Sequence, residues 1–312
     1  MTTAATPVGP DVVEHVEVDP TAFAAPDVTT AGHVPGSEPV GLHVRRWHGG
    51  EHRPVLLVHG LASNARLWDG VAPVLAGAGH PVAAVDLRGH GRSDKPDDGY
   101  DVPIVAGDLR ALVEALDWER PVVAGQSWGG NVVLELAASW PEAVGALAGI
   151  DGGTIELHRR FPDWDACVAA LRPPPLAGTP RDRIERMLRD AHPDWPESGI
   201  QGQLACLEVR DDGTVAPWLT LERHLLVLRG LWEHRPRERY GSVTAPTLLL
   251  GADPGPAAAD FQDERTAGIG DAAATIADVR VEWLRGDHDL HAQHPEAVAA
   301  LLLELAARAD GA

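Results

Sequence analysis

Serine, histidine and aspartate, the side chains that together can turn a hydroxyl into a nucleophile, each stand at the end of an apolar run in this 312-residue chain. Ser127 lies in Gly125-Gln126-Ser127-Trp128-Gly129. A free hydroxyl is a poor nucleophile at neutral pH, so Ser127 needs an imidazole to take its proton and a carboxylate to orient that imidazole. His288, in Gly286-Asp287-His288, is the candidate base, with His291 as the alternative. Two acids follow apolar runs: Asp151 after Ala146 to Ile150, and Asp253 after Thr247 to Ala252.

The elements that must position these groups are legible around them. Arg120 to Ala124 reads as a short strand and Asn131 to Ala138 as a helix, so Ser127 falls in the turn between them. A turn tight enough to expose that hydroxyl crowds the positions two residues either side, and glycines at 125 and 129 relieve the crowding. The helix N-terminus then offers unpaired N–H groups and partial positive charge to a developing oxyanion. The runs Val55 to Val58, Val82 to Val85, Val122 to Ala124 and Thr247 to Leu250 are continuously apolar. Strands covered by helices on both faces require this, and their alternation with helical stretches predicts a mostly parallel sheet.

The combination is more specific than any one motif. His59-Gly60 follows the first buried run, and Asp86-Leu87-Arg88-Gly89-His90-Gly91-Arg92-Ser93-Asp94 follows the second. Next come the Gly-Gln-Ser-Trp-Gly-Gly elbow, a late Asp and a late His, in the order Ser127, Asp253, His288. With these motifs the chain resembles the α/β-hydrolase fold superfamily from about residue 40 to 308. That resemblance implies an eight-stranded, mostly parallel sheet flanked by helices with an inserted helical cap. It divides the chain into an N-terminal extension at 1–35, a core at 36–151 and 244–312, and a cap (lid) at 152–243. It favours Asp253 as the acid, with Asp151 the alternative that some relatives use, and assigns the oxyanion hole to the backbone N–H groups of Leu61 and Trp128. The aspartates flanking His288 depart from the family pattern, which usually has glycine directly before the histidine.

The activity implied is that of a serine hydrolase that cleaves a carboxylic ester or lactone through an acyl-enzyme without a cofactor. A thioesterase, an aminopeptidase of the proline iminopeptidase type and a carbon–carbon hydrolase share the same triad. A ligand-binding hydrolase-like protein is the alternative outside enzymes. Epoxide hydrolases and haloalkane dehalogenases would need an acid where Ser127 stands.

Composition narrows the partners. The net charge of −20, with one lysine (Lys95) among 26 basic residues, argues against nucleic acid and anionic membrane surfaces. No apolar run is long enough to span a bilayer and the first residues do not read as a signal peptide, so a cytoplasmic protein is expected. Cys167 and Cys206 are expected to be reduced thiols. His288, His291 and His294 are spaced at three residues, but nothing nearby completes a metal site, and none is expected. Trp164, Trp195, Trp218 and Trp232 fall in the expected cap and are candidates to line a pocket for an apolar small-molecule substrate. Val12 to Val18 could form a strand or a docked arm.

Overall fold

A computed structural model of the chain describes residues 9–19, 38–255 and 262–311. Its ten strands, among the described residues, are β1 (Val12–Val18), β2 (Val40–Trp47), β3 (Val55–Val58), β4 (Val82–Val85), β5 (Val122–Gln126), β6 (Ala146–Ile150), β7 (Leu207–Val209), β8 (Val215–Pro217), β9 (Thr247–Asp253) and β10 (Val279–Arg285). Eight form one sheet in the order β1-β2-β4-β3-β5-β6-β9-β10. β1 and β4 both run antiparallel to β2, and every pairing from β4 onward is parallel.

Because successive side chains of a strand point to opposite faces, the apolar runs supply two cores at once. Leu56, Val58, Val123, Leu147 and Leu249 face α2 (Val102–Ala115) and α3 (Trp128–Ser139), while Val55, Leu57, Ala124, Ala148 and Leu250 face α1 (Ala72–Gly77) and α11 (Pro295–Asp310). These strand side chains are at most 2% exposed. Burying each large aliphatic one stabilises the fold by about 1.5–3 kcal/mol.

Between β6 and β9 the alternation stops, as the sequence predicts. This inserted region carries α4 (Leu157–Arg160), α5 (Trp164–Leu171), α6 (Arg181–Ala191), α7 (Glu197–Leu204) and α8 (Leu221–Glu233). It also holds the antiparallel hairpin β7–β8, which a purely helical expectation omits. The hairpin signal is present in the sequence, since Asp212-Gly213 separates the two short runs and Gly213 adopts φ +78. The chain re-enters the core through β9 and α9 (Gln262–Thr275), and a short α10 (Leu290–Gln293) follows β10.

The first strand departs from the expected division. Val12 to Val18 pairs along its length with Val40 to Arg46, so this part of the expected extension is the edge strand of the sheet. Residues 1–8 and 20–37 lie outside the described residues.

Candidate active site

Ser127, Asp151 and the His288 loop meet at the carboxyl ends of the parallel strands, where α/β sheets place ligands. Ser127 follows β5 and caps α3 with φ 53 and ψ −123, a left-handed-side conformation that L-residues adopt only when the surroundings force it. A side chain at Gly125 would run into the backbone carbonyl of Gly129, which accounts for the glycine two residues before the serine. The Ser127 N–H donates to the Ile150 carbonyl at 3.0 Å and fastens the elbow to the end of β6.

Asp151 follows β6 and is thus one strand from Ser127, since Gln126 and Ile150 are cross-strand partners. It too has positive φ (44°), and its carboxylate has no solvent exposure. One oxygen, Oδ2, lies 2.5 Å from His288 Nδ1. The other, Oδ1, accepts from the Ala252 N–H at 3.0 Å and lies 2.8 Å from Arg265 Nε of α9. On its other side the His288 ring places Nε2 2.8 Å from Ser127 Oγ. Gln126 holds the loop, donating from Nε2 to the His288 carbonyl at 3.0 Å. Ser127, His288 and Asp151 therefore form one hydrogen-bonded line.

The preferred acid is corrected by this geometry: Asp151, not Asp253, reaches His288. Asp253 ends β9, one strand further from Ser127, and its half-exposed carboxylate accepts from the Gly255 N–H at 2.9 Å and lies 3.6 Å from Arg285 Nη1. His288 spans the ends of β5 and β6, meeting Ser127 with one ring nitrogen and Asp151 with the other. His291 does not reach the serine; it is buried on α10 against Trp68 at 4.4 Å, and desolvation lowers its pKa to about 3.

Desolvation works against the charged form of His288 too. The hydrogen bond and charge of Asp151 outweigh it, with help from Asp289 and against the positive charge of Arg265, so the pKa ends above the ordinary histidine value. Asp287 is engaged elsewhere: its Oδ2 accepts from Trp195 Nε1 at 2.9 Å, tying the inserted region to the His288 loop.

Trp128 follows Ser127 directly, and the loop that carries Leu61 lies against the serine. Trp128 is the first residue of α3, where helical geometry leaves N–H groups without intrahelical partners. A Cβ added to Gly60 would stand 3.0 Å from Ser127 Cβ, so the loop that carries Leu61 is pressed against the serine. Two neutral histidines brace this loop. His59 Nδ1–H donates to the Gly60 carbonyl (2.7 Å) and its Nε2 accepts from the Leu87 N–H (3.0 Å). His90 accepts from the Ala62 N–H at 3.2 Å, and its ring stacks on Trp128 with centroids 5.3 Å apart. Desolvation lowers the pKa of both. Asp86 belongs to the same scaffold, accepting from the N–H groups of Ala65 (2.8 Å) and Arg92 (2.9 Å).

The four tryptophans divide. Trp164 and Trp232 pack edge to face with centroids 6.0 Å apart, Trp195 braces Asp287, and Trp218 lines a cavity beneath the inserted region. Cys167 and Cys206 are both free thiols. Among the described residues, no group of three His, Cys, Asp or Glu side chains could hold a metal ion, and no helix is long and apolar enough to cross a membrane.

The sheet order, the elbow and the inserted helices are those of the α/β-hydrolase fold, and residues 53–187 match the sequence profile described as alpha/beta hydrolase fold. An uncharacterized protein of Mycobacterium tuberculosis is 37% identical over 125 residues, which is 38% of this chain and 36% of that protein. A fluoroacetate dehalogenase of a Burkholderia species is 35% identical over 126 residues, 39% of this chain and 40% of its own. The chain thus matches well under half the length of these curated relatives. A solved E-2-(acetamidomethylene)succinate hydrolase shares the fold at TM-score 0.73 and 22% identity, over 94% of this chain and 99% of its own.

Proposed function

We propose that the chain is a serine hydrolase that cleaves a carboxylic ester or lactone through an acyl-enzyme. The observation that carries this reading is the continuous line from Ser127 Oγ to His288 Nε2 (2.8 Å) and from His288 Nδ1 to Asp151 Oδ2 (2.5 Å). His288 Nε2 takes the Ser127 proton while Oγ bonds to the carbonyl carbon, and Asp151 stabilises the imidazolium. Negative charge gathers on the carbonyl oxygen, where the N–H groups of Leu61 and Trp128 receive it. As the carbon–oxygen bond to the leaving group breaks, the imidazolium returns the proton to the departing alkoxide. Water, deprotonated by the same imidazole, then releases the acid and restores Ser127. The dehalogenase relative does not extend its named activity to this chain, because displacing a halide requires a carboxylate nucleophile where Ser127 stands.

Release of p-nitrophenol from a series of acyl esters tests the reading. Turnover at any chain length that requires Ser127 supports it; a folded protein inert to the whole series and to a matching series of lactones contradicts it.

The pH dependence follows from the charge balance at His288. Only the neutral imidazole accepts the serine proton, so kcat/KM is expected to rise with pH along a limb whose midpoint lies above the ordinary histidine pKa. Arg265 is a positioning residue acting through Asp151, and its charge opposes protonation of His288. Arg265→Gln is therefore expected to move the limb to higher pH. A fall in rate with the limb unmoved would assign Arg265 a purely structural role.

A further inference from the structure

Asn131 lies on the first turn of α3, four residues after Ser127; it is completely buried, and every hydrogen-bonding position of its amide is used. Its Oδ1 accepts from the Gly153 N–H at 3.1 Å and from the Ile155 N–H at 3.3 Å. Its Nδ2 donates to the Ile155 carbonyl at 2.8 Å and lies 3.1 Å from His234 Nδ1. Both lone pairs of Oδ1 are taken by backbone N–H groups, so the amide cannot turn over without losing them, and His234 Nδ1 is the acceptor. The His234 proton then sits on Nε2, 3.2 Å from Oε2 of Glu135, one turn further along α3. Glu135 is held in turn by Ser139 Oγ, which donates to Oε1 at 2.8 Å, and by Arg239 Nε, 3.1 Å from Oε2. His234 and Glu135 are both buried, and a buried network satisfied in this way is rigid.

This network reaches Asp151 from behind. Gly153 and Ile155 follow Asp151 in the segment by which the chain leaves β6 for the inserted region, and His234 follows α8, where the chain returns. No side chain separates that segment from the nucleophile. A Cβ on Gly152 would run into the Ser127 carbonyl oxygen, and one on Gly130 would stand 2.5 Å from the Gly153 nitrogen. Ala252 and Arg265 hold the carboxylate end of Asp151, while Asn131 holds the backbone that follows it. The positive φ of Asp151 persists only where its surroundings over-determine it, and this clamp is one of those constraints. We propose that Asn131 is a positioning residue for Asp151: it fixes the acid relative to Ser127 through Gly153 and Ile155, and the His234–Glu135 pair fixes Asn131. The role rests on the serine-hydrolase reading, but the placement of Asp151 against His288 can be read without turnover.

The NMR signal of the His288 Cε1–H, assigned by its loss in His288→Gln, is followed against pH in the wild type, Asn131→Ala, His234→Leu, His234→Gln and Asp151→Asn. The hydrogen bond and charge of Asp151 both favour the imidazolium, so an acid that drifts from Nδ1 lowers the midpoint; Asp289 and Arg265, the other charges acting on the ring, remain in every variant. His288 is expected to titrate lower by about one pH unit or more in Asn131→Ala, in the direction of Asp151→Asn, and to move the same way in His234→Leu. His234→Gln keeps an acceptor for Asn131 and a donor for Glu135, and is expected to return the midpoint toward the wild type. A wild-type midpoint in folded Asn131→Ala would overturn the role of Asn131. Should that variant not fold, the His234 pair decides: a midpoint unmoved in His234→Leu, or displaced equally in His234→Gln, would overturn it. Hydrolysis of p-nitrophenyl acetate, measured on the same samples, reports separately on the hydrolase reading. An inert wild type whose variants still follow this titration pattern would fault the chemistry and leave the positioning of Asp151 standing. In an active protein, kcat is expected to fall about tenfold or more in Asn131→Ala with KM little changed.

Discussion

Asp151→Asn is expected to lower kcat/KM for an activated ester by about 10⁴, while Asp253→Asn leaves it within about twofold. Losing the carboxylate has two consequences at His288. The amide can present an N–H to Nδ1, which holds the ring in the tautomer whose Nε2 carries the proton and cannot accept one from Ser127. The imidazolium also loses the negative charge 2.5 Å away that stabilises it. Among the described residues the Asp253 carboxylate meets Gly255 and Arg285, not His288 or Ser127. Arg265 gives the Asp151→Asn variant a further signature. With the carboxylate gone the guanidinium loses its ion pair with Asp151, and this variant should melt below the wild type as well as react more slowly. Steady-state kinetics and thermal melts of the two variants check both parts, and equal losses at 151 and 253 would contradict the assignment of the acid.

Ser127→Ala is expected to remove about 10⁴–10⁶ of kcat, leaving the residual acceleration that the oxyanion donors and substrate binding supply. The substitution removes only Oγ, but it leaves a side chain at φ 53, so the strain of the elbow persists and stability should change little. A variant that folds as the wild type and keeps substantial turnover would move the nucleophile elsewhere.

What the sequence made legible follows from how locally each feature is encoded. The elbow depends on contacts within five residues, so Gly125, Ser127 and Gly129 announce it. The buried strands depend on composition alone, and Val55 to Val58 or Thr247 to Leu250 fit no exposed surface. The acid is harder. Asp151 and Asp253 both end apolar strands, and choosing between them requires knowing that β6 lies between β5 and β9, with His288 reaching back across to it. Arg265 leaves no local signal, because its meeting with Asp151 joins α9 to the end of β6. Gln126 sits inside the motif, yet its side chain works on the His288 carbonyl, 162 residues away in sequence. The edge strand Val12 to Val18 can be read only as a strand without an address, since its partner is fixed by register with β2.

Treating the protein with a fluorophosphonate and mapping the adduct by peptide mass spectrometry tests most directly whether Ser127 is activated. A single phosphonylated residue, Ser127, is expected, with labelling abolished in Ser127→Ala and slowed in Asp151→Asn but not in Asp253→Asn. A folded protein that takes up no label, or carries it at another residue, would contradict an activated serine at this elbow.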